Sequence, residues 1–150
     1  MTTQQLISEF GDDLLNFKEY MDYNASIRNI SIDCFEKQFS KGSDRLKSWL
    51  LLYNHSAYWH PINNKNKIRD PMFEYMEHSK KIFCLTVAMI VFQVFGDGNH
   101  RTAYYFYEKN VGFPLSTEVK NEINRFLSFQ EFSMINLNSE FIKNVLCILK

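Results

Sequence analysis

The chain has 150 residues, and its 17 Lys and Arg balance 17 Asp and Glu to a formal net charge of zero. That balance argues against a general binder of nucleic acid or membrane surfaces and leaves partners to be recognised by specific contacts. Apolar residues make up 45% and aromatics 16%, enough for one domain to bury about two thirds of the surface its unfolded chain would expose.

Taken in order, Leu6, Phe10, Leu14, Phe17 and Met21 recur at helical spacing and predict a first amphipathic helix. The opening MTTQQLISEF lacks a basic region followed by an apolar run, so no signal peptide is expected. Ser31 reads as the N-cap of a second helix through Phe35 and Phe39, stopped by Gly42. Ser43 caps a third, from Asp44 to about Tyr53, which carries Leu46, Trp49 and Leu50.

Residues 54–70, NHSAYWHPINNKNKIRD, have no helical period and read as a loop or an exposed hairpin around Asn63-Asn64. His55 and His60 lie there without the helical spacing that a zinc site requires. Asp70-Pro71 then opens a helix whose apolar pattern runs through Met72, Tyr75, Met76, Ile82, Leu85, Met89 and Phe92. Its stretch from Ile82 to Phe95 is too short to span a bilayer and contains Gln93, so it predicts the central helix of a bundle.

A helix from about Arg101 to Lys109 follows, ended by Gly112 and Pro114. Ser116 caps the next, through Val119, Ile123 and Phe126, and Ser139 the last, with Phe141, Val145 and Ile148 on one face. The expected architecture is a single all-α domain over residues 1–150. Cys34, Cys84 and Cys147 all fall in apolar helical patterns and read as buried thiols in a reducing, cytoplasmic compartment.

The chemistry concentrates in FQVFGDGNHRTA, residues 92–103. If a helix starts near His100, Asn99 is its N-cap, and the amides from Gly98 to Arg101 face outward at the positive end of the helix dipole. Glycines at 96 and 98 permit the backbone that gathers such amides into a nest. Arg101 adds a planar fork for phosphate, and Asp97 could hold a divalent cation against phosphate oxygens. Together these describe a phosphate site; an ordinary corner between two helices, with Gly and Asn as caps, accounts for the same residues. A dinucleotide fingerprint fails, because a helix precedes the turn and no third Gly follows. A calcium loop fails at Arg101 and Thr102, where an oxygen ligand and a Gly are required.

The run from Phe95 to Ala103 resembles the signature of the Fic/Doc (Fido) family, His-x-Phe-x-Asp/Glu-Gly-Asn-Gly/Lys-Arg. Asn110-Val111-Gly112-Phe113 is similar to the phrase that ends the helix following that motif, and the likeness is close over about residues 80–115. It implies a Fic/Doc-like helical bundle that transfers AMP, or in the Doc branch a phosphate, from a nucleotide such as ATP to a protein hydroxyl. Phe95 would anchor the motif and Asp97 would bind Mg²⁺. The amides around Gly96, Gly98, Asn99 and His100 would cradle phosphate, and Arg101 would pair with it. Thr102-Ala103 resembles the Doc branch; the AMP-transferring branch has a second Arg where Tyr104 stands.

Two positions depart from the pattern. The family's catalytic His falls at Gln93, whose amide is no base near neutral pH, so transfer is expected to be weak or absent. His100 stands where the family has Gly or Lys, with its side chain expected to leave the helix away from Gln93. Residues 55–69 fall where family members carry a β-hairpin flap, in which Tyr58, Trp59 and Ile62 would hold the target protein by strand pairing. No Ser/Thr-x-x-x-Glu-Gly/Asn inhibitory helix matches, although Thr117 to Glu122 is close in composition. Regulation by a separate, antitoxin-like partner stays open. So do location in a host cytosol, for a viral or secreted protein, and a pseudoenzyme that binds a protein partner without catalysis.

Overall fold

The computed structural model describes residues 17–40, 45, 46, 49, 77–128 and 139–149, and the expectations for the flap residues Tyr58, Trp59 and Ile62 lie outside them. Six helices follow in order: α1 Phe17–Ile27, α2 Ile32–Ser40, α3 His78–Val91, α4 Asn99–Val111, α5 Thr117–Ser128 and α6 Ser139–Leu146. A 3₁₀ turn, Cys147–Leu149, closes the series. Residues 45, 46 and 49 are also helical, and no strand occurs among the described residues, which are all-α.

Local chemistry explains most helix ends. Ser31 Oγ accepts the amide of Cys34 at 3.1 Å, and Ser116 Oγ that of Val119 at 3.2 Å, the two expected N-caps. Gly112, at φ 101°, ends α4 and donates its amide to the Glu108 carbonyl at 2.8 Å. The helix expected to run unbroken from Asp70 through Phe92 is interrupted at Glu77, which is extended at ψ 147°, while its expected start at Asp70-Pro71 lies outside the described residues. The Glu77 carbonyl accepts from Lys80 and Lys81, so α3 begins only at His78.

Every residue of α3 from Ile82 to Val91 is buried, as a central helix requires. Its main neighbour is α4; α1 also packs on α4, and α6 on α3. Trp49, fully buried, donates its indole N–H to the Leu85 carbonyl at 2.8 Å and packs edge-on against Phe106. Among the described residues, no helix is long and apolar enough to cross a membrane.

The cysteines differ from expectation. All three are free thiols, but only Cys84 is buried; Cys34 is half-buried on α2 and Cys147 exposed in the 3₁₀ turn. Helical period places a residue on a face, but the neighbouring elements decide whether that face is covered. Burial pushes the Cys84 thiol up to about 12, which leaves it protonated and inert.

Candidate functional site

The turn between α3 and α4 is built from both helix ends. At the end of α3 the amide of Gln93 reaches the Ile90 carbonyl at 3.0 Å, and that of Val94 reaches Met89 at 3.2 Å. This bonding pair is a Schellman cap, with Gln93 in the left-handed position usually held by Gly (φ 50°). The Gln93 carbonyl accepts the Gly96 amide at 2.9 Å and an Arg45 N–H at 3.4 Å. Gln93 therefore shapes the turn through its backbone, while its side chain is exposed.

Phe95 then drops into the core. Its ring stacks on Phe17 (5.8 Å between centroids) and Phe39 (5.6 Å), with Phe35 tilted at 6.2 Å. The expected N-cap needs correction. Gly98, at φ 68°, is the capping residue, and Asn99 is the first residue of α4. The buried Asn99 carboxamide instead turns back across the loop and accepts the Phe95 amide at 2.8 Å. A left-handed glycine ahead of Asn99 rotates its side chain away from the helix end, which only Gly accommodates readily.

No side chain among the described residues caps α4. The Gly98 amide is taken by Asp97 Oδ1 at 2.8 Å, and the Thr102 amide bonds the Gly98 carbonyl at 3.1 Å. The amides of Asn99, His100 and Arg101, between them, have no acceptor among the described residues. They form the positive end of a 13-residue helix.

That helix end borders an open cleft of about 480 Å³ lined by Gln93, Gly96, Asp97, Gly98, Asn99 and His100, with Asn124 and Ser128 of α5 opposite. Ile90 and Leu127 supply its apolar surface. Gln93 and His100 both border this cleft. Partial desolvation holds the His100 imidazole below its ordinary value. Its ring packs edge-on to Tyr104 at 6.2 Å. Arg101 is exposed, makes no ion pair among the described residues and lies outside the lining of the cleft.

Asp97 is 82% exposed, with Oδ2 3.9 Å from Nε of Arg28. Among the described residues no cluster of three or more His, Cys, Asp or Glu could hold a metal. Asp97 fits Mg²⁺ only as a single carboxylate completed by phosphate oxygens and water, a common arrangement for that ion.

Two residues with no motif of their own complete the site. Asn24 of α1 is fully buried, with Nδ2 donating to the Asp97 carbonyl at 2.9 Å and to Thr102 Oγ1 at 3.0 Å. Arg28, one turn later, donates to Asn24 Oδ1 at 3.2 Å and to Gln38 Oε1 at 2.6 Å. The one signal in the sequence is their i, i+4 spacing of polar residues on an otherwise apolar helix face.

Compared with known proteins, the chain gives no match to a family model and no significant match to a curated protein or a solved structure.

Proposed function

We propose that this protein binds a phosphate compound, a nucleotide with Mg²⁺, at the turn joining α3 to α4, within a Fic/Doc-like helical bundle. The observation that carries the reading is the uncapped start of α4, where the amides of Asn99, His100 and Arg101 face no acceptor among the described residues beside a cleft of nucleotide size. Phosphate would take these amides, and the exposed Arg101 would swing in to pair with it. Asp97 would hold Mg²⁺ against the phosphate oxygens, leaving its contacts to Gly98 and Arg28. Bound Mg²⁺ would neutralise charge on the transferred group and its leaving group.

Transfer to a protein hydroxyl by this chain is slow in this reading. Gln93 offers no proton acceptor, and general-base help is typically worth ~10²–10⁴ in rate. A second reading, a binding module that holds the nucleotide and transfers nothing, draws on the same residue.

One experiment addresses both. Thermal unfolding of the wild type and of Arg101→Ala is followed with Mg-ATP, Mg-GTP and inorganic phosphate. Ligand at a hundredfold excess over Kd stabilises by about 2.7 kcal/mol. The expected outcome is an upward shift for the wild type that is lost in Arg101→Ala. An equal shift in both would show that the phosphate lies elsewhere, and no shift with any ligand would remove the phosphate reading. The same proteins, with Gln93→His, are then assayed for label transfer from ATP to protein. A gain only in Gln93→His marks a transferase lacking its base, and none in any variant marks the binding module.

A further inference from the structure

The amides assigned to phosphate are flanked by two points of attachment to another helix. Asn24 bonds the carbonyl of Asp97 on one side and the hydroxyl of Thr102 on the other, and residues 99–101 lie between. Both hydrogens of its carboxamide are used, and its oxygen accepts from Arg28, so this buried group is fully satisfied. It also rests directly on Gly98, where an added Cβ would come within 2.9 Å of Nδ2. Asn24 therefore contacts the turn at three successive places: ahead of the helix, at its cap and in its first turn. Arg28 fixes the carboxamide from behind and is itself tied to Gln38 of α2.

We propose that Asn24 is the positioning residue of the phosphate site, holding the Asp97–Thr102 segment so that the three uncapped amides of α4 converge on one ligand. The inference rests on the phosphate reading of the turn. Asn24 touches no ligand; it acts through the backbone of residues 97–102. A capping side chain would have pinned the same segment by consuming one of the amides. Anchoring from α1 leaves all three for a ligand, which explains why a buried amide sits behind a helix start that has no cap.

Asn24→Asp tests this with little change in shape. The carboxylate keeps its bond with Arg28 but loses both donors, and it sets an acceptor against the Asp97 carbonyl. In the full chain, with circular dichroism confirming retained helicity, amide resonances are recorded without ligand and Mg-ATP affinity is measured. Resonances from Gly98 to Thr102 are expected to move, while those of α6 stay. Affinity should fall about tenfold or more, the equivalent of a buried hydrogen bond removed from the site. A merely structural role would lower the melting temperature and leave Kd alone, and that result overturns the proposal.

Should Asn24→Asp fail to fold, Thr102→Val removes one of the two anchors. Weaker binding is then expected, and Thr102→Ser, which restores the hydroxyl, should recover it; equal binding by all three forms overturns the proposal. A wild type that binds neither nucleotide nor inorganic phosphate ends the phosphate reading and the positioning role together. Binding by the wild type and by Asn24→Asp with equal affinity ends the positioning role alone.

Discussion

Gly98 meets two demands at once. Its φ of 68° is a conformation that side chains strain to adopt, and any side chain there would run into Asn24 and Ile27 of α1. An alanine there would place Cβ 2.9 Å from Asn24 Nδ2 and 3.3 Å from Ile27 Cδ1. Asn24 cannot yield freely, since its nitrogen is tied to Asp97 and Thr102. Gly98→Ala should therefore cost about 1–3 kcal/mol of stability, measured by urea unfolding. Gly96, also left-handed at φ 75°, has among the described residues only the Arg45 guanidinium, at 3.7 Å, near an added side chain. Gly96→Ala would meet backbone strain without the clash, so its cost should be the smaller; the reverse order would contradict the packing of Asn24 on Gly98.

Between elements, α1 and α4 also meet through an aromatic and ionic seam. Tyr105 lies flat on Tyr23 with 4.0 Å between centroids, its hydroxyl donates to Glu19 at 2.5 Å, and Lys109 reaches the same carboxylate at 3.4 Å. The Tyr105 bond is the main cause that lowers the Glu19 carboxyl below its ordinary value, and the same bond raises the Tyr105 phenol to about 12. The lowered carboxyl contributes stability above its unfolded value, about 4.3, and loses it as pH falls through the folded one. The raised phenol contributes below its unfolded value, about 10, and loses it as pH climbs through the folded one. Tyr105→Phe should consequently be less stable than the wild type at pH 7, with the gap closing at both extremes. Denaturant midpoints measured against pH check this, and a gap constant into acid would remove Glu19 as the partner. How far these elements could be read from the sequence follows from the range of the chemistry. The caps at Ser31 and Ser116 and the stop at Gly112 act over a few residues and were legible there. The left-handed ends at Asn29 and Gln93 were not, because neither residue is the Gly that usually marks such an end. Nor was Asn24, whose partners lie 73 and 78 residues away.

For the whole molecule, the turn and the core share one residue. Phe95 stands three residues before Gly98, yet its ring lies among Phe17 of α1 and Phe35 and Phe39 of α2. The motif could suggest an anchor at Phe95, but not which rings receive it, because those belong to segments distant in sequence. Removing the ring should open a cavity bordered by two helices besides its own segment, at a cost of about 3–5 kcal/mol. For a chain of this length each kcal/mol lowers Tm by roughly 2–4 °C, so Phe95→Ala should melt about 6–20 °C below the wild type, in one transition. The shared ring gives that experiment its force. If the turn were a separately stable appendage, losing Phe95 would loosen residues 94–99 and leave the melting of the remainder nearly unchanged. A single cooperative drop would instead mean that the geometry of the α4 amides is held by the same packing that folds the domain.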